Sequence, residues 1–296
     1  MFPLIASERT IERHRDGRRL IHFSEEHYFH DLQVCVDYET EEVWRGPKPV
    51  CQREQLPGLA RRWGGGNSLR LAVLGDSIST GANASGYCGV APFQPGYVDL
   101  VAEGLAGGGG GEAVVVRNFS VGGKTAAWGA EQAQMEAVCG FSPDLVVLAF
   151  GMNDASAGVS ADEFGASIGG MIHRVRSLFP DTEFMLVSGM NAHDAWHLAR
   201  ADLHEAYGGV LAELALAGSG VVLCDVRAVW DFVAGRKGFW SMTGNGVNHP
   251  NDFGHRLYAD CLLGVLGCER QGRRGGGQRG LAQDSRSMMV EGTVMI

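Results

Sequence analysis

Ser77 stands in Gly75-Asp76-Ser77, directly after the apolar run Leu69–Leu74. A serine at the carboxyl end of a buried strand sits where open α/β sheets place their ligand crevices. Gly75 permits the sharp turn that a β-carbon would obstruct, and Asp76, Ser77, Ser79 and Thr80 suit the cap of a short helix. The start of a helix offers unpaired N–H groups to a developing anion, so Ser77 is a candidate nucleophile. Taken alone, the same turn reads equally well as a polar connection with no chemistry. Three further blocks shift that balance. Asn118-Phe-Ser-Val-Gly-Gly123 offers backbone N–H groups that can approach closely, Gly151-Met-Asn153-Asp154 offers a side-chain amide, and Asn248-His249-Pro250 offers an imidazole. Nucleophile, oxyanion donors and general base are the parts needed for acyl transfer.

The elements that must position these groups alternate regularly. Leu69–Leu74, Ala113–Val116, Asp144–Phe150, Glu183–Val187 and Val221–Asp225 are apolar runs of the kind expected for buried parallel strands. Helical spacing falls between them over Val98–Leu105, Ala126–Val138, Phe164–Leu178 behind a Ser160-Ala-Asp-Glu163 capping box, Leu198–Leu216, and finally Leu257–Leu266. Five strands with intervening helices specify an α/β fold, a three-layer sandwich around a five-stranded parallel sheet with right-handed crossovers. Residues 1–60 differ. They are charged and carry short alternating runs at Arg19–Phe23, Asp31–Tyr38 and Glu41–Arg45, the last two readable as a hairpin. This segment reads as a small β-rich N-terminal module or an extension packed on the main domain. Pro47, Pro49, Pro57 and Gly64–Gly66 read as a linker. Residues 269–296, rich in Gly, Arg, Gln and Ser, read as a disordered tail.

With 296 residues and 45% hydrophobic content, the chain can bury one sizeable core. A net charge of -9 gives no basic footprint for nucleic acid or anionic membrane. No apolar run reaches the ~18 residues needed to span a bilayer, and the first residues lack a signal h-region, so a cytoplasmic location is expected. The seven cysteines are scattered and never form a C-x-x-C pair, which argues against a zinc knuckle or disulfide framework. Neither a cofactor nor a metal is expected.

The four blocks, met in this order over Ser68–Gly267, resemble the SGNH (GDSL-type) hydrolase family. The resemblance implies a flavodoxin-like sandwich with strand order 2-1-3-4-5. It implies Ser77 as nucleophile and His249 as general base, with an oxyanion hole built from the Ser77 N–H, the Gly123 N–H and the Asn153 amide. Asp76 and Asp154 then shape loops. The pattern departs at one point. The family usually has an acid three residues before the histidine, and here that residue is Gly246. Asn245, Asn248, Asp252 and Asp225 lie near in sequence or end the fifth strand, and none matches the motif. A Ser–His dyad held by a backbone carbonyl or by a non-standard acid, with Asp252 the candidate, is one reading. An impaired enzyme is the other.

His193, His197 and His204 have helical spacing but lack the Glu of a His-Glu-x-x-His zinc site. Trp128, Trp196 and Trp240 suit either a core or a substrate cleft, and Lys124 either solvent or an anionic substrate. The expected activity is hydrolysis of O-acetyl or other short acyl esters on a carbohydrate or small metabolite. The competing reading is a carbohydrate-binding or scaffold protein that keeps the fold.

Overall fold

Alternation of short apolar and polar runs gives way to continuous apolar strands at Leu69, and the architecture changes at the same place. The computed structural model describes residues 10–22, 27–32, 34–36, 43–63, 68–107, 114–268 and 292–294. Thr10–Arg13 (β1) and Arg19–His22 (β2) pair antiparallel. Tyr28–Leu32 forms a short helix (α1) and Val34–Val36 a strand (β3), followed by Pro57–Trp63 (α2). The main domain then runs Leu69–Gly75 (β4), Tyr97–Gly107 (α3), Val114–Asn118 (β5), Ala126–Gly129 (α4), Gln132–Gly140 (α5), Leu145–Ala149 (β6), Met152–Ala157 (α6), Ala161–Arg176 (α7) and Glu183–Ser188 (β7). It closes with Ala201–Ala217 (α8), Val221–Asp225 (β8), Val226–Lys237 (α9) and Asp252–Val265 (α10).

The five main strands form one parallel sheet in the order β5-β4-β6-β7-β8. Within the sheet this is the order 2-1-3-4-5 implied by the resemblance. Side chains alternate across it as the pleat requires. Leu71, Val73, Leu145, Val147, Met185 and Val187 join the core shared with α3, α9 and α10. Ala72, Leu74, Val146, Leu148, Phe184 and Leu186 face α5, α7 and α8. Both faces are covered, so β4, β6 and β7 are buried almost throughout, whereas edge strand β5 leaves Val115 43% exposed. Ser160 and Glu163 form the capping box that starts α7. The helix expected over Ala126–Val138 is divided into α4 and α5, where Glu131 takes an extended conformation. The helix expected from Leu198 begins at Ala201, and the one expected from Leu257 begins at Asp252, where Asn251 caps it by accepting from the Gly254 N–H.

The N-terminal segment lies against this domain. Arg15 N–H donates to the Ala195 carbonyl and His197 N–H to that of Arg13. The stretch expected as a linker is partly core. Pro57 opens α2, Leu56 and Leu59 are buried, and the Glu183 carboxylate accepts from the Gly58 and Leu59 N–H groups at 2.6 and 2.8 Å. A carboxylate at the start of a helix satisfies donors that would otherwise be orphaned. Of the expected hairpin, residues 37–42 lie outside the described residues, and Val43–Arg45 is not in a strand. Most of the expected tail also lies outside them, apart from Gly292–Val294 (β9), which pairs antiparallel with β3. Among the described residues no helix is long and apolar enough to cross a membrane.

Candidate active site

At the switch point of a 2-1-3-4-5 sheet the connections leave β4 and β6 in opposite directions, and a crevice opens between their ends. Ser77 lies just past β4 and Asn153 just past β6. The Ser77 turn is closed locally. Asp76 Oδ1 accepts from the Ile78 N–H at 2.9 Å, Thr80 Oγ1 donates to the Ser77 carbonyl at 2.8 Å, and Ala82 N–H donates to the same oxygen. Gly75 is required here, because a β-carbon on it would stand 2.5 Å from the Ala149 carbonyl oxygen. Ser77 itself is 9% exposed.

His249 arrives from the opposite side of the sequence. Asn245 Oδ1 accepts from the backbone N–H groups of Val247, Asn248 and His249, each at 3.0 Å, and so coils the loop into one shape. In that shape the Ser77 hydroxyl meets His249 Nε2 at 2.8 Å. The other ring nitrogen, Nδ1, lies 2.8 Å from Asn83 Oδ1. An amide oxygen accepts only, so the proton sits on Nδ1 and Nε2 presents its lone pair to the serine.

Asn83 was not among the residues expected at that position. It is fully buried and held at φ 61°, a left-handed conformation that Asn tolerates better than most residues. Gly244 admits it, since a β-carbon there would stand 2.6 Å from Asn83 Cβ. The only sequence signal was an amide in the small-residue run Gly81-Ala-Asn83-Ala-Ser85, and its partner is 166 residues away.

The expected acid partner, Asp252, is not at the imidazole. Its carboxylate accepts from the Ser85 N–H and Ser85 Oγ at 2.7 Å each, in the first turn of α10. Asp225 accepts from Ser188 Oγ and caps α9. Gly246 explains the missing acid, for it has φ +76° and a β-carbon would stand 2.4 Å from Trp240 Cζ3. No side chain fits there without moving the indole.

The second and third blocks meet beside the serine. Asn118 Nδ2 donates to the Ser79 carbonyl at 2.7 Å, tying the tip of β5 to the Ser77 turn. A β-carbon on Gly122 would touch Ser77 Cβ at 3.6 Å, and Gly123 turns with φ +75°. Asn153 Nδ2 donates to the Lys124 carbonyl at 3.0 Å. That bond uses one of its two amide hydrogens. Among the described residues, the other hydrogen and the N–H groups of Ser77 and Gly123 have no acceptor. Unspent donors around a serine–histidine pair suit an anion that exists only during reaction.

Asp76 and Asp154 are buried beneath these loops. Burial pushes the Asp76 carboxyl up from 3.8 to about 7, opposed by the Ile78 N–H and reinforced by Asp154. Burial also raises Asp154, whose Oδ1 accepts from the Ala126 N–H at 2.9 Å. The folded protein therefore keeps a proton on Asp76 that the unfolded chain releases above about 3.8. With more protons bound in the folded state, this group makes stability fall as pH rises through that window. His204 and His255, both lowered to about 4 mainly by burial, act in the opposite sense. We expect Asp76→Asn, which keeps an acceptor for Ile78, to cancel only the Asp76 contribution. In urea titrations at pH 4.5 and 8, native stability should decline relative to the variant by about 2–3 kcal/mol. Parallel pH profiles for the two proteins would contradict this.

The remaining candidates are dispersed. His193 and His197 lie in a loop and not on a helix, and His204 is buried on α8. No group of three or more potential metal ligands occurs among the described residues. Lys124 places its ammonium over the Trp128 ring at 5.6 Å. Trp196 is buried and donates to Glu12.

The GDSL-like Lipase/Acylhydrolase family model matches residues 73–257. No curated protein matches the sequence. Among solved structures, a two-domain esterase (CEX) active on acetylated mannans is similar at 21% identity and TM-score 0.56, over 75% of this chain and 55% of that one. This chain thus spans just over half of that protein. The acetylxylan esterase Axe2 of Geobacillus stearothermophilus is similar at 20% identity and TM-score 0.56, over 70% of this chain and 97% of that one. LAE5, an enzyme from the metagenome of Lake Arreo, Spain, is similar at 22% identity and TM-score 0.56, over 68% and 95% respectively. At such identities the likeness is one of fold. The family match covers more than half of the chain and spans the Ser77, Gly123, Asn153 and His249 blocks, so this protein belongs to the GDSL-like lipase/acylhydrolase family and is an ester hydrolase of the SGNH type.

Proposed function

We propose that the protein is a serine esterase that removes acetyl or other short acyl groups from a carbohydrate, using Ser77, His249 and Asn83 as a triad. The observation that carries this reading is the continuous hydrogen-bond chain Ser77 Oγ–His249 Nε2, His249 Nδ1–Asn83 Oδ1, each link 2.8 Å. As Ser77 Oγ bonds to the ester carbonyl carbon, its proton passes to His249 Nε2. The resulting oxyanion is held by the Ser77 and Gly123 N–H groups and the Asn153 amide. Collapse breaks the carbon–oxygen bond to the alcohol, which takes the proton from Nε2 and leaves an acyl-Ser77 ester. Water then attacks that ester, giving its proton to Nε2, and the acid is released as Ser77 recovers its hydrogen. Throughout, Nδ1–H donates to Asn83. An amide fixes the tautomer without supplying a negative charge, as Asn does in papain-like proteases.

The substrate class draws on the named activities of the similar folds, on acetylated mannans and acetylxylan. Those activities belong to those proteins. The missing acid favours a purely carbohydrate-binding role, and the 2.8 Å contact between Asn83 Oδ1 and His249 Nδ1 supports the esterase reading against it. Labelling with a fluorophosphonate, together with acetate release from acetylated xylo- and manno-oligosaccharides, tests the proposal. Modification at Ser77 with acetate released supports it. An unlabelled Ser77 with no acetate released from any ester overturns it.

A further inference from the structure

The loop that delivers His249 is built against an aromatic cluster that the triad does not use. Trp240 follows α9 in a short 3-10 turn and remains 37% exposed. Its indole stacks on Phe29 of α1 at 6.2 Å and 30°, lies 4.7 Å from the His193 ring, and meets Phe239 edge-on. Gly246 lets the indole approach the loop backbone just before His249. His193 is tied to the same loop, its N–H donating to the Val247 carbonyl at 2.7 Å. The indole is thus held among three rings yet stays 37% exposed, and it packs against Gly246, three residues before His249.

Two donors beside that ring are unspent. His193 Nδ1 lies 3.1 Å from the Ala195 N–H and must accept from it, which places the imidazole proton on Nε2. The Asp194 carboxylate, 3.4 Å from Nδ1, is 95% exposed and does not alter that assignment. Neither His193 Nε2 nor Trp240 Nε1 has a partner among the described residues. A partly exposed indole with N–H donors suits a pyranose ring, which offers axial C–H bonds to a π-system and hydroxyl oxygens to donors.

Resting on the esterase reading, we propose that Trp240 and His193, braced by Phe29 of the N-terminal segment, form the subsite that holds a pyranose ring of the substrate next to the reacting ester. The indole stacks on the sugar, and the two N–H groups select its hydroxyls. The N-terminal segment is then part of the specificity apparatus.

The test compares p-nitrophenyl acetate, which has no sugar, with acetylated xylo- and manno-oligosaccharides. Trp240→Ala should lower kcat/KM on an oligosaccharide by about 10–100-fold more than it lowers kcat/KM on p-nitrophenyl acetate, with the difference chiefly in KM. Trp240→Phe, which keeps a ring against Phe29, should recover most of the loss, and His193→Ala should raise KM by about fivefold. Equal losses on both ester classes, or no loss on the oligosaccharides, would overturn the subsite. De-esterified oligosaccharide binding, followed by calorimetry in the Ser77→Ala background, separates the two readings. Binding lost on adding Trp240→Ala upholds the subsite even if the native protein hydrolyses no ester, and no binding in that background, or binding indifferent to Trp240, overturns it.

Discussion

Ser77→Ala is expected to lower kcat on p-nitrophenyl acetate by about 10⁴–10⁶, leaving only what oxyanion donors and binding supply. Ala fits the site, because among the described residues Ser77 Oγ bonds to His249 Nε2 alone and the turn is held by backbone and by Asp76 and Thr80. The variant should therefore unfold within a few degrees of the native protein. His249→Ala should cost about as much, and the double variant little more than either alone, since a nucleophile without its base and a base without its nucleophile are equally idle. Additive losses in the double variant, or native rates in Ser77→Ala, would refute the pairing drawn from the 2.8 Å contact.

Asn83→Ala should be the next most damaging change, lowering kcat by about 10²–10³. Without Oδ1 the Nδ1 proton loses the acceptor seen at 2.8 Å, and a ring carrying hydrogen on Nε2 cannot accept from Ser77. Ala at φ 61° also costs about 1–2 kcal/mol of stability, so a melting curve must accompany the kinetics. Asn83→Asp separates the two effects, because aspartate tolerates the same conformation and keeps an acceptor on Nδ1. It should retain activity within about tenfold of native, and its carboxylate should favour the charged imidazole and so move the acidic limb of the pH–rate profile to higher pH, since only the neutral ring can accept from Ser77. If Asn83→Ala turns over like the native enzyme, the amide is structural and His249 is oriented by something else.

Much of this arrangement can be read from residue types in order. Continuous apolar runs such as Leu69–Leu74 and Asp144–Phe150 fix buried parallel strands, because only a sheet covered on both faces hides such runs. Each strand then delivers whatever follows it to one edge, which is why the sequence alone places Ser77 and Asn153 together. Asn83 was illegible for a related reason. It lies on no periodic element, and its contact with His249 depends on a coil set by Asn245 and on the absence of side chains at Gly244 and Gly246. Asp252 is near His249 in sequence, yet the first turn of α10 takes its carboxylate to Ser85. The break between α4 and α5 and the burial of Leu56 and Leu59 are set by packing partners elsewhere in the chain, which local spacing does not encode.

Asn83 and Ser77 share one loop, while the imidazole comes from the far end of the domain. Heritable change therefore acts on the triad asymmetrically. In the proposed triad, nucleophile and orienting amide lie together between Gly75 and Gln94, and the segment bearing His249 is relieved of supplying an acid. What that segment must keep is its coil, set by Asn245 Oδ1 and by the space left at Gly244 and Gly246, so the proposed proton path tolerates change only where those three positions stay as they are.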